Sequence, residues 1–352
     1  MAGPPDRSLP KILLVNDKLD LRNIIRDYLR EEGYGNISVS ENGLSALKKA
    51  AADPPDLIIA DFDLPGLTGL DLLAKIRQDR LLAETPFILI SPETEQKYVA
   101  KAAEHRVSAY VVKPFSHKTL LGKVDPLLER RMNPSAGDIL FLEANRLAQA
   151  GNLEAALEKY LAAMDVTKKS MASLHFKIGQ AHEMMSQEGQ AEADYHEAIG
   201  LSDVFVDAYD ALGAIQLRNQ RPEDALRFFF RSSEISPLNA DRQLALGEAL
   251  LQTGHFSEAE RAFKMVLDLD PNAVNVFNRL GISLRRQKKT EEALQYFLKA
   301  LEKTGEDENL LYNISRVYFD KGDLALAKNY LKKALKLKPD FQEACDLLLQ
   351  IG

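Results

Sequence analysis

Short apolar runs alternate with amphipathic stretches over the first 132 residues, a pattern typical of strands that alternate with helices. The predicted strands are Lys11–Val15, Ile37–Val39, Leu57–Ala60, Phe87–Ile90 and Ala109–Val112. The predicted helices are Leu19–Glu32, Asn42–Ala52, Leu70–Arg77, Thr94–Glu104 and a last helix that Ser116 caps and that ends near Met132. Together they predict a doubly wound α/β domain with a five-stranded parallel sheet over residues 11–132.

The stretch DLIIADFDLPGLTG, residues 56–69, places a carboxylate at the end of the third predicted strand. Its apolar run leads directly into Asp61, and Pro65 and Gly66 prevent the strand from continuing. Taken alone, this stretch is equally well explained as a surface loop rich in Asp. Polar residues also end three of the other strands: Asn16, Asp17, Ser91 and Lys113. Since parallel strands all end at one edge of the sheet, these side chains should converge into a site.

Four motifs in this order resemble the receiver domain of two-component response regulators. They are VND at 15–17, DFDLPGLTG at 61–69, ILIS at 88–91 and YVVKPF at 110–115. The resemblance implies that Asp61 accepts a phosphoryl group and that Lys113 pairs with it before and after modification. It also implies that Ser91 hydrogen-bonds the phosphoryl group and that Tyr110 moves with Ser91 as a switch. Read one at a time, Lys113 could be a solvated strand-end lysine, Ser91 a turn residue and Tyr110 a core aromatic.

A magnesium ion belongs to the same resemblance, because a dication is needed to bring a phosphoryl group to neighbouring carboxylates. The resemblance assigns Asp17, Asp61 and the backbone carbonyl of Asp63 as direct ligands, with Asn16 acting through water. Asn16 departs from the family, which more often has an acid there, so metal binding should be weaker. A receiver that is not phosphorylated therefore stays open as an alternative.

After Met132, residues 133–137 have the composition of a linker, and no further strand is predicted. Six units of 34 or 35 residues follow, beginning near Gly137, Ala172, Val206, Ala240, Val274 and Glu308. This period resembles tetratricopeptide repeats, which are helical hairpins, and predicts an all-α solenoid over residues 137–341. Residues 341–352 resemble the capping helix that such a solenoid needs.

Two positions in each repeat predict how its helices pack. Glycine recurs at Gly179, Gly213, Gly247 and Gly281, and Ser315 replaces it in the sixth repeat. A large side chain recurs sixteen positions later, at Tyr160, Tyr195, Phe229, Phe263, Phe297 and Leu331. The small residues should let paired helices approach, and the large ones should fill the gap.

The concave face of such a solenoid, lined by the first helix of each repeat, is the expected binding surface. The family's groove positions fall on Phe141, Asn145, Phe176, Gln180, Met184, Asp207, Asp210, Asp241, Leu244, Glu248, Asn278, Arg285, Arg286, Tyr312 and Arg316. The groove should run from apolar through acidic to basic, and Arg285, Arg286, Tyr312 and Arg316 should bind acidic groups of a protein partner. The alternative is that these are merely solvated helix faces.

Pro126 lies well inside the last receiver helix, one turn after Gly122. An interior proline removes a backbone hydrogen bond, so we expect a kinked or split helix. Its end, with Leu127 and Leu128, would then pack on the first repeat, or the kink would simply begin the linker.

Composition narrows the function further. The net charge of −7 comes entirely from the part after residue 133, which argues against binding a nucleic-acid backbone. The single Cys345, expected to be a buried filler, excludes an internal disulfide. Residues 1–10 read as a disordered tail with no signal peptide, and no apolar run is long enough for a membrane span, so we expect a cytoplasmic protein.

No motif for a second chemistry is present, so the output should be binding rather than catalysis. The sequence therefore predicts a response regulator, phosphorylated by a histidine kinase or phosphotransfer protein, whose repeats engage a protein target. We expect no enzyme activity beyond assistance to its own phosphorylation and dephosphorylation. The alternatives are a constitutive repeat scaffold with a silent receiver and, less favoured by the acidic balance, an RNA-binding solenoid.

Overall fold

A computed structural model describes residues 7–79, 81–92, 102, 105–167 and 171–352 of the chain. The chain divides into two compact units, Met1–Phe205 and Val206–Gly352. The predicted helix over Thr94–Glu104 lies outside the described residues apart from Ala102, as do the first six residues of the predicted tail.

The first unit contains a five-stranded parallel sheet in the order β2-β1-β3-β4-β5. The strands are β1 Ile12–Val15, β2 Ile37–Ser40, β3 Leu57–Asp61, β4 Phe87–Ser91 and β5 Ala109–Val112. The helices around it are α1 Leu19–Glu31, α2 Gly43–Ala52, α3 Gly69–Gln78 and α4 His117–Met132. The prediction of a doubly wound parallel sheet is confirmed.

Both faces of the sheet are covered, as its continuous apolar strands require. Alternate residues of β3 enter opposite cores: Ile58 packs in one hydrophobic cluster with α2 and α3, and Ile59 packs in the other with α1 and α4. Every residue of β3 and β4 is buried. These two strands therefore hold their C-terminal ends in fixed positions.

Two expectations about the edges of this domain are wrong. Arg7, in the predicted disordered tail, forms ion pairs with Glu32 and Asp125 and so fastens the chain to the domain. Packing of Leu127 and Leu128 on the first repeat was one of two alternatives, and it is wrong because both pack with α1 in the core of the α/β domain. The interior proline does not split α4, which is a single helix.

The continuity of α4 has a simple physical basis. Pro126 and Gly122 are both exposed, and an added Cβ at Gly122 would meet no atom within 4 Å. The carbonyl that loses its donor to the proline therefore lies on the solvent side, where water can bond it.

The first two repeats complete the first unit. Their helices are α5 Ala136–Gln149, α6 Leu153–Thr167, α7 Ala172–Met184 and α8 Glu188–Leu201. Ser135 caps α5 in a reciprocal capping box with Asp138, so the helix begins inside the stretch expected to be a linker.

The second unit holds the other four repeats and a final helix. Its helices are α9 Val206–Arg218, α10 Pro222–Ile235, α11 Ala240–Gln252, α12 Phe256–Leu269, α13 Val274–Arg286, α14 Thr290–Thr304, α15 Glu308–Asp320, α16 Leu324–Leu337 and α17 Gln342–Ile351. The prediction of an all-α repeat region is confirmed. Cys345 is a half-buried free thiol rather than a buried one. None of the described helices is long and apolar enough to cross a membrane.

Glycines and aromatic rings pack as the repeat pattern predicts. A Cβ added at Gly281 would lie 2.6 Å from the Phe297 ring, and one at Gly247 would lie 2.5 Å from the Phe263 ring. Both rings are completely buried. In the sixth repeat Ser315 and Leu331 are fully buried together, so a larger residue on one helix accompanies a smaller one on the other.

Candidate functional site

Strand β3 carries Asp61 to the C-terminal edge of the sheet as its last residue. Helix α3 begins close to the end of β3. Gly69, its first residue, donates a backbone hydrogen bond to the Phe62 carbonyl at 2.9 Å. A Cβ at Gly69 would lie 2.2 Å from the backbone oxygen of Asp61, so only glycine permits this approach. Gly66 has a φ of +79°, which allows the turn between strand and helix.

The carboxylate of Asp61 is surrounded by hydrogen-bond donors from three other places in the chain. Lys113 Nζ lies 2.9 Å from its Oδ1 and 2.6 Å from its Oδ2. Asn16 Nδ2 donates to Oδ2 at 2.6 Å, and the backbone N–H of Asp63 donates to Oδ1 at 3.1 Å. The side chain of Asp61 is 0% exposed, so these donors replace water around a buried charge.

The orientation of Asn16 is set by its other contacts. Its Oδ1 accepts a hydrogen bond from the backbone N–H of Lys18 at 2.8 Å, so the amide nitrogen must face Asp61. Its backbone oxygen accepts from Arg22 Nη1 at 2.9 Å, and Glu41 holds Arg22 through an ion pair of 3.0 Å. The sequence did not identify Arg22 and Glu41 as site residues, because no motif marks residues that only position Asn16.

The remaining predicted receiver residues lie on the same edge. Ser91 is the last residue of β4 and is completely buried, and its backbone oxygen accepts from the N–H of Lys113 at 2.9 Å. Tyr110 is half-buried and packs against the core cluster on the α3 side. Asp17 and Asp63 are exposed at the mouth of the site.

The donor set at this edge suits a hard cation that keeps much of its water. Among the described residues no group of three or more His, Cys, Asp or Glu side chains is arranged to hold a metal ion. Magnesium requires only one or two carboxylates, with carbonyl oxygens and water completing its shell. Asp17, Asp61 and the Asp63 carbonyl are therefore of the right chemistry, although Lys113 contacts both oxygens of Asp61.

The predicted basic end of the groove is largely engaged within the second unit. Arg285 forms an ion pair of 2.9 Å with Asp320, and its side chain is 9% exposed. Arg286 is exposed but lies over the Phe256 ring, 5.9 Å from its centroid. The structure thus differs from the expectation of three arginines that all face a partner.

Tyr312 and Arg316 form a pair on helix α15. Arg316 Nη1 donates to the Tyr312 hydroxyl at 2.9 Å, and the Tyr312 ring packs 5.1 Å from the Phe341 ring that begins the capping segment. Tyr312 therefore contributes to packing of the last helix as well as to the predicted groove.

Several other groove residues pair between neighbouring repeats. Arg242 Nε shares its one hydrogen between the two carboxylate oxygens of Asp210, each at 3.0 Å, and Nη2 donates to Oδ2 at 2.7 Å. The Arg242 side chain is 1% exposed. Glu248 pairs with Arg279 at 2.5 Å. Arg242 and Arg279 lie outside the predicted groove, and a search for opposite charges about 32 residues apart could have found them. The acidic middle of the groove is thus partly neutralised by the repeats themselves.

A sheet with a buried aspartate–lysine pair at its C-terminal edge, followed by helical hairpins of constant length, defines a receiver-type domain joined to repeat modules. Comparison with protein families gives the same division. The model of the response regulator receiver domain matches residues 12–125, and two tetratricopeptide repeat models match residues 244–308 and 308–341.

Individual relatives match the receiver part. The chain is 37% identical over 120 residues to the chemotaxis protein CheY-3 of Vibrio cholerae, covering 34% of this chain and 92% of that protein. It is 35% identical over 120 residues to the chemotaxis protein CheY of Pseudomonas aeruginosa, covering 34% and 97%. The chain belongs to the response regulator receiver family and carries tetratricopeptide repeats after its receiver domain.

A solved structure matches the repeats. The crystal structure of YrrB, described as a tetratricopeptide repeat protein with an unusual peptide-binding site, is 21% identical with a TM-score of 0.50. The likeness covers 53% of this chain and 96% of that one, and it supports the repeat fold.

Proposed function

We propose that this protein is a response regulator of a two-component phosphorelay, in which phosphorylation of Asp61 controls protein binding by the repeats. The observation that carries this proposal is the buried Asp61 carboxylate, with Lys113 Nζ within 2.9 Å of both its oxygens. A buried carboxylate paired with a lysine at a strand end suits a phosphoacceptor, because the same lysine can pair with the anionic phosphoryl group that the carboxylate receives.

The chemistry follows from these positions. An oxygen of Asp61 attacks the phosphorus of a phosphohistidine on a histidine kinase or phosphotransfer protein. The new P–O bond forms as the P–N bond breaks, and the histidine leaves with the electron pair of that bond. Lys113 transfers its pairing from the carboxylate to the phosphoryl oxygens, and Ser91 hydrogen-bonds one of them. We propose no catalysis beyond this assistance.

Magnesium would be held by Asp17, Asp61 and the Asp63 carbonyl, with Asn16 acting through water. When bound, it supplies positive charge that offsets the repulsion between the carboxylates and the incoming phosphoryl group. The exposed positions of Asp17 and Asp63 leave the site open to solvent on that side.

The switch in this proposal is the pair Ser91 and Tyr110. They lie on adjacent strands, at Ser91↔Val112 and Leu89↔Tyr110 in the register of β4 and β5. Movement of Ser91 toward the phosphoryl group would let the Tyr110 ring move. The domain would then have two discrete arrangements, and phosphorylation would favour one of them. The repeats would then present the output by binding a protein, without a DNA-binding domain.

Labelling with acetyl phosphate and magnesium tests the phosphoacceptor directly. Intact-mass measurement should show a phosphoryl group on the wild type and on Asp63→Asn, which keeps the backbone carbonyl, but not on Asp61→Asn. Equal labelling of Asp61→Asn and the wild type would contradict the assignment.

A constitutive scaffold with a silent receiver is the second candidate, and the Asn16–Asp61 hydrogen bond of 2.6 Å supports it. That bond and the one from Lys113 both occupy Oδ2 of Asp61, so the carboxylate could remain inaccessible to a phosphoryl donor. Beryllofluoride, which imitates the phosphoryl group, separates the two: wild type should bind it with magnesium, whereas a silent receiver should not.

A further inference from the structure

A cavity of about 610 Å³ lies in the first unit between the receiver and the first two repeats. Its receiver wall is Glu84, in the loop before β4, and Arg106, before β5. Its repeat wall comes from α5, α6 and α7. This volume falls within the range of about 300–1,000 Å³ that ligand sites occupy.

Three primary amides contribute to the polar lining of this cavity. Asn145, Gln149 and Gln180 all line it, and Asn145 and Gln180 are also predicted groove positions. A side-chain amide carries both a donor and an acceptor, which matches the N–H and C=O of a peptide backbone. Ala148, Ala181 and the exposed Met184 supply an apolar surface beside them.

The charged lining is balanced. It consists of two cations, Arg106 and Lys177, and two carboxylates, Glu84 and Glu183. Arg106 lies 3.8 Å from Glu84, Lys177 donates to Gln180 at 2.8 Å, and Glu183 accepts from Tyr195 at 2.7 Å. A strongly charged ligand such as a nucleotide is disfavoured by a wall with no net charge.

The receiver and repeat walls are joined by hydrogen bonds. Asn145 donates to Glu84 Oε1 at 3.2 Å and accepts from the Tyr160 hydroxyl at 2.7 Å. Burial, together with the nearby Glu84 carboxylate, raises the pKa of Tyr160 to about 12, so the hydroxyl keeps its proton and remains a donor. Asn145 is therefore fixed at a groove position by the receiver itself.

The receiver wall stands at the start of the strands that carry the switch residues. Glu84 precedes β4, which ends at Ser91, and Arg106 precedes β5, which contains Tyr110 and leads into Lys113. Strand β4 is fully buried and β5 pairs with it, so both connect the phosphoacceptor edge with the cavity. A change at Ser91 or Lys113 can thus alter the wall that Glu84 and Arg106 form.

We propose that this cavity binds a short extended peptide segment of a partner protein, held through its backbone by the amides of Gln149 and Gln180 and contacted by the receiver and repeats at once. This rests on the proposed function only for its regulation, because the lining contains neither the phosphoacceptor Asp61 nor Lys113. It places the binding site at the first two repeats rather than at the arginines of the last two.

The test uses the full-length protein and a phage-displayed library of random dodecapeptides. Enriched peptides are synthesised with fluorescein and measured by fluorescence anisotropy. Met184→Arg, at an exposed position of the lining, should weaken binding at least about tenfold by obstructing the cavity. Gln180→Met should weaken it about fivefold by removing one amide, and N-methylation of the peptide backbone should do the same.

Gln252→Arg is the matched control, since Gln252 is exposed and occupies the repeat position of Met184 in a repeat of the second unit. It should leave binding unchanged. Circular dichroism confirms that each variant is folded. The proposal is overturned if no peptide is enriched, or if the enriched peptides bind Met184→Arg and Gln180→Met as well as wild type.

Adding beryllofluoride and magnesium separates this proposal from the proposed function. A change in affinity that Asp61→Asn abolishes supports both. Site-dependent binding that beryllofluoride leaves unchanged supports the cavity and contradicts control by phosphorylation. If Met184→Arg and Gln180→Met bind the peptides as well as wild type while beryllofluoride still binds, the cavity proposal alone is overturned.

Discussion

The phosphoacceptor edge of the receiver and the repeats after Val206 use charged side chains in opposite ways. At the receiver edge one carboxylate, that of Asp61, is 0% exposed and collects donors from three separate segments. In the repeats, charges meet in pairs between neighbouring hairpins, as in Glu248 with Arg279 and Arg285 with Asp320. The first arrangement concentrates charge at one point, and the second distributes it.

This difference follows from topology. A parallel sheet brings the ends of strands that are far apart in sequence to one edge, so several groups can converge on a single oxygen. A stack of repeats lets each hairpin contact only its neighbours, so a charge finds a partner about one repeat away. Chemistry therefore suits the receiver, whereas an extended recognition surface suits the repeats.

The largest effect should come from isolating the buried carboxylate. Lys113→Ala leaves Asp61 charged and without its cation, and breaking such a pair costs about 3 kcal/mol. Hydrogen exchange in peptides that cover β3 and β4 should show a fall of this size in the free energy of opening. Lys118→Ala, an exposed lysine of α4, is the control. Asp61→Asn added to Lys113→Ala should restore most of the loss, and a double variant no more stable than the single one would contradict this explanation.

The next effect concerns packing in the repeats, where no charge is involved. Gly281→Ser places an atom 2.6 Å from the Phe297 ring and should destabilise its hairpin by about 2 kcal/mol. Phe297→Leu in the same protein should recover part of this, because Ser315 and Leu331 already coexist in the sixth repeat. Hydrogen exchange over α13 and α14 measures both.

Gly189→Ser serves as the control for that substitution, since an added Cβ there meets nothing within 4 Å. If it destabilises its own helix as much as Gly281→Ser does, contact with the ring is not the cause.

Substitution of Asn16 should have a smaller effect, which defines the role of this residue at the metal site. Asn16→Asp removes the donor to Asp61 and adds a carboxylate, so the metal-free protein should be less stable and magnesium should bind more tightly. We expect about a tenfold gain in affinity, equivalent to about 1.4 kcal/mol, by isothermal titration calorimetry. Unchanged magnesium affinity would show that this position does not contribute to the metal site.

The smallest effect is a pH dependence in the repeats. Burial alone would raise the pKa of Glu260, but hydrogen bonds from Lys264, Lys289 and Gln287 lower it from 4.5 to about 2. Because the folded pKa is depressed, the stabilisation is complete above pH 4.5 and is lost as the pH falls towards about 2. Glu260→Gln should therefore lower the thermal midpoint at pH 6 more than at pH 3.

Glu258→Gln, on the same helix, removes a carboxylate that lies 3.7 Å from Arg261 and should have a smaller effect at pH 6. An equal shift for Glu260→Gln at both pH values would contradict the role of the Glu260 charge.

The sequence by itself determined the order of strands and helices, the 34-residue repeat and the edge at which Asp61, Ser91 and Lys113 meet. These features depend on local patterns: the alternation of apolar residues, the stops at proline and glycine, and the recurrence of small and aromatic residues. Each predicted strand of the receiver lies within one residue of the observed one at both ends. Local patterns can be read along the chain because neighbouring residues share one backbone geometry.

Tertiary structure alone decided which partner each polar group meets. The sequence contains Arg285 and Asp320 but does not show that they pair, and it does not show that the amide of Asn16 faces Asp61. It also left open whether Leu128 packs on the first repeat, and the structure buries this side chain in the receiver instead. Hydrogen bonds and ion pairs depend on distances of a few ångströms between side chains from different elements, and those distances exist only once the elements have packed.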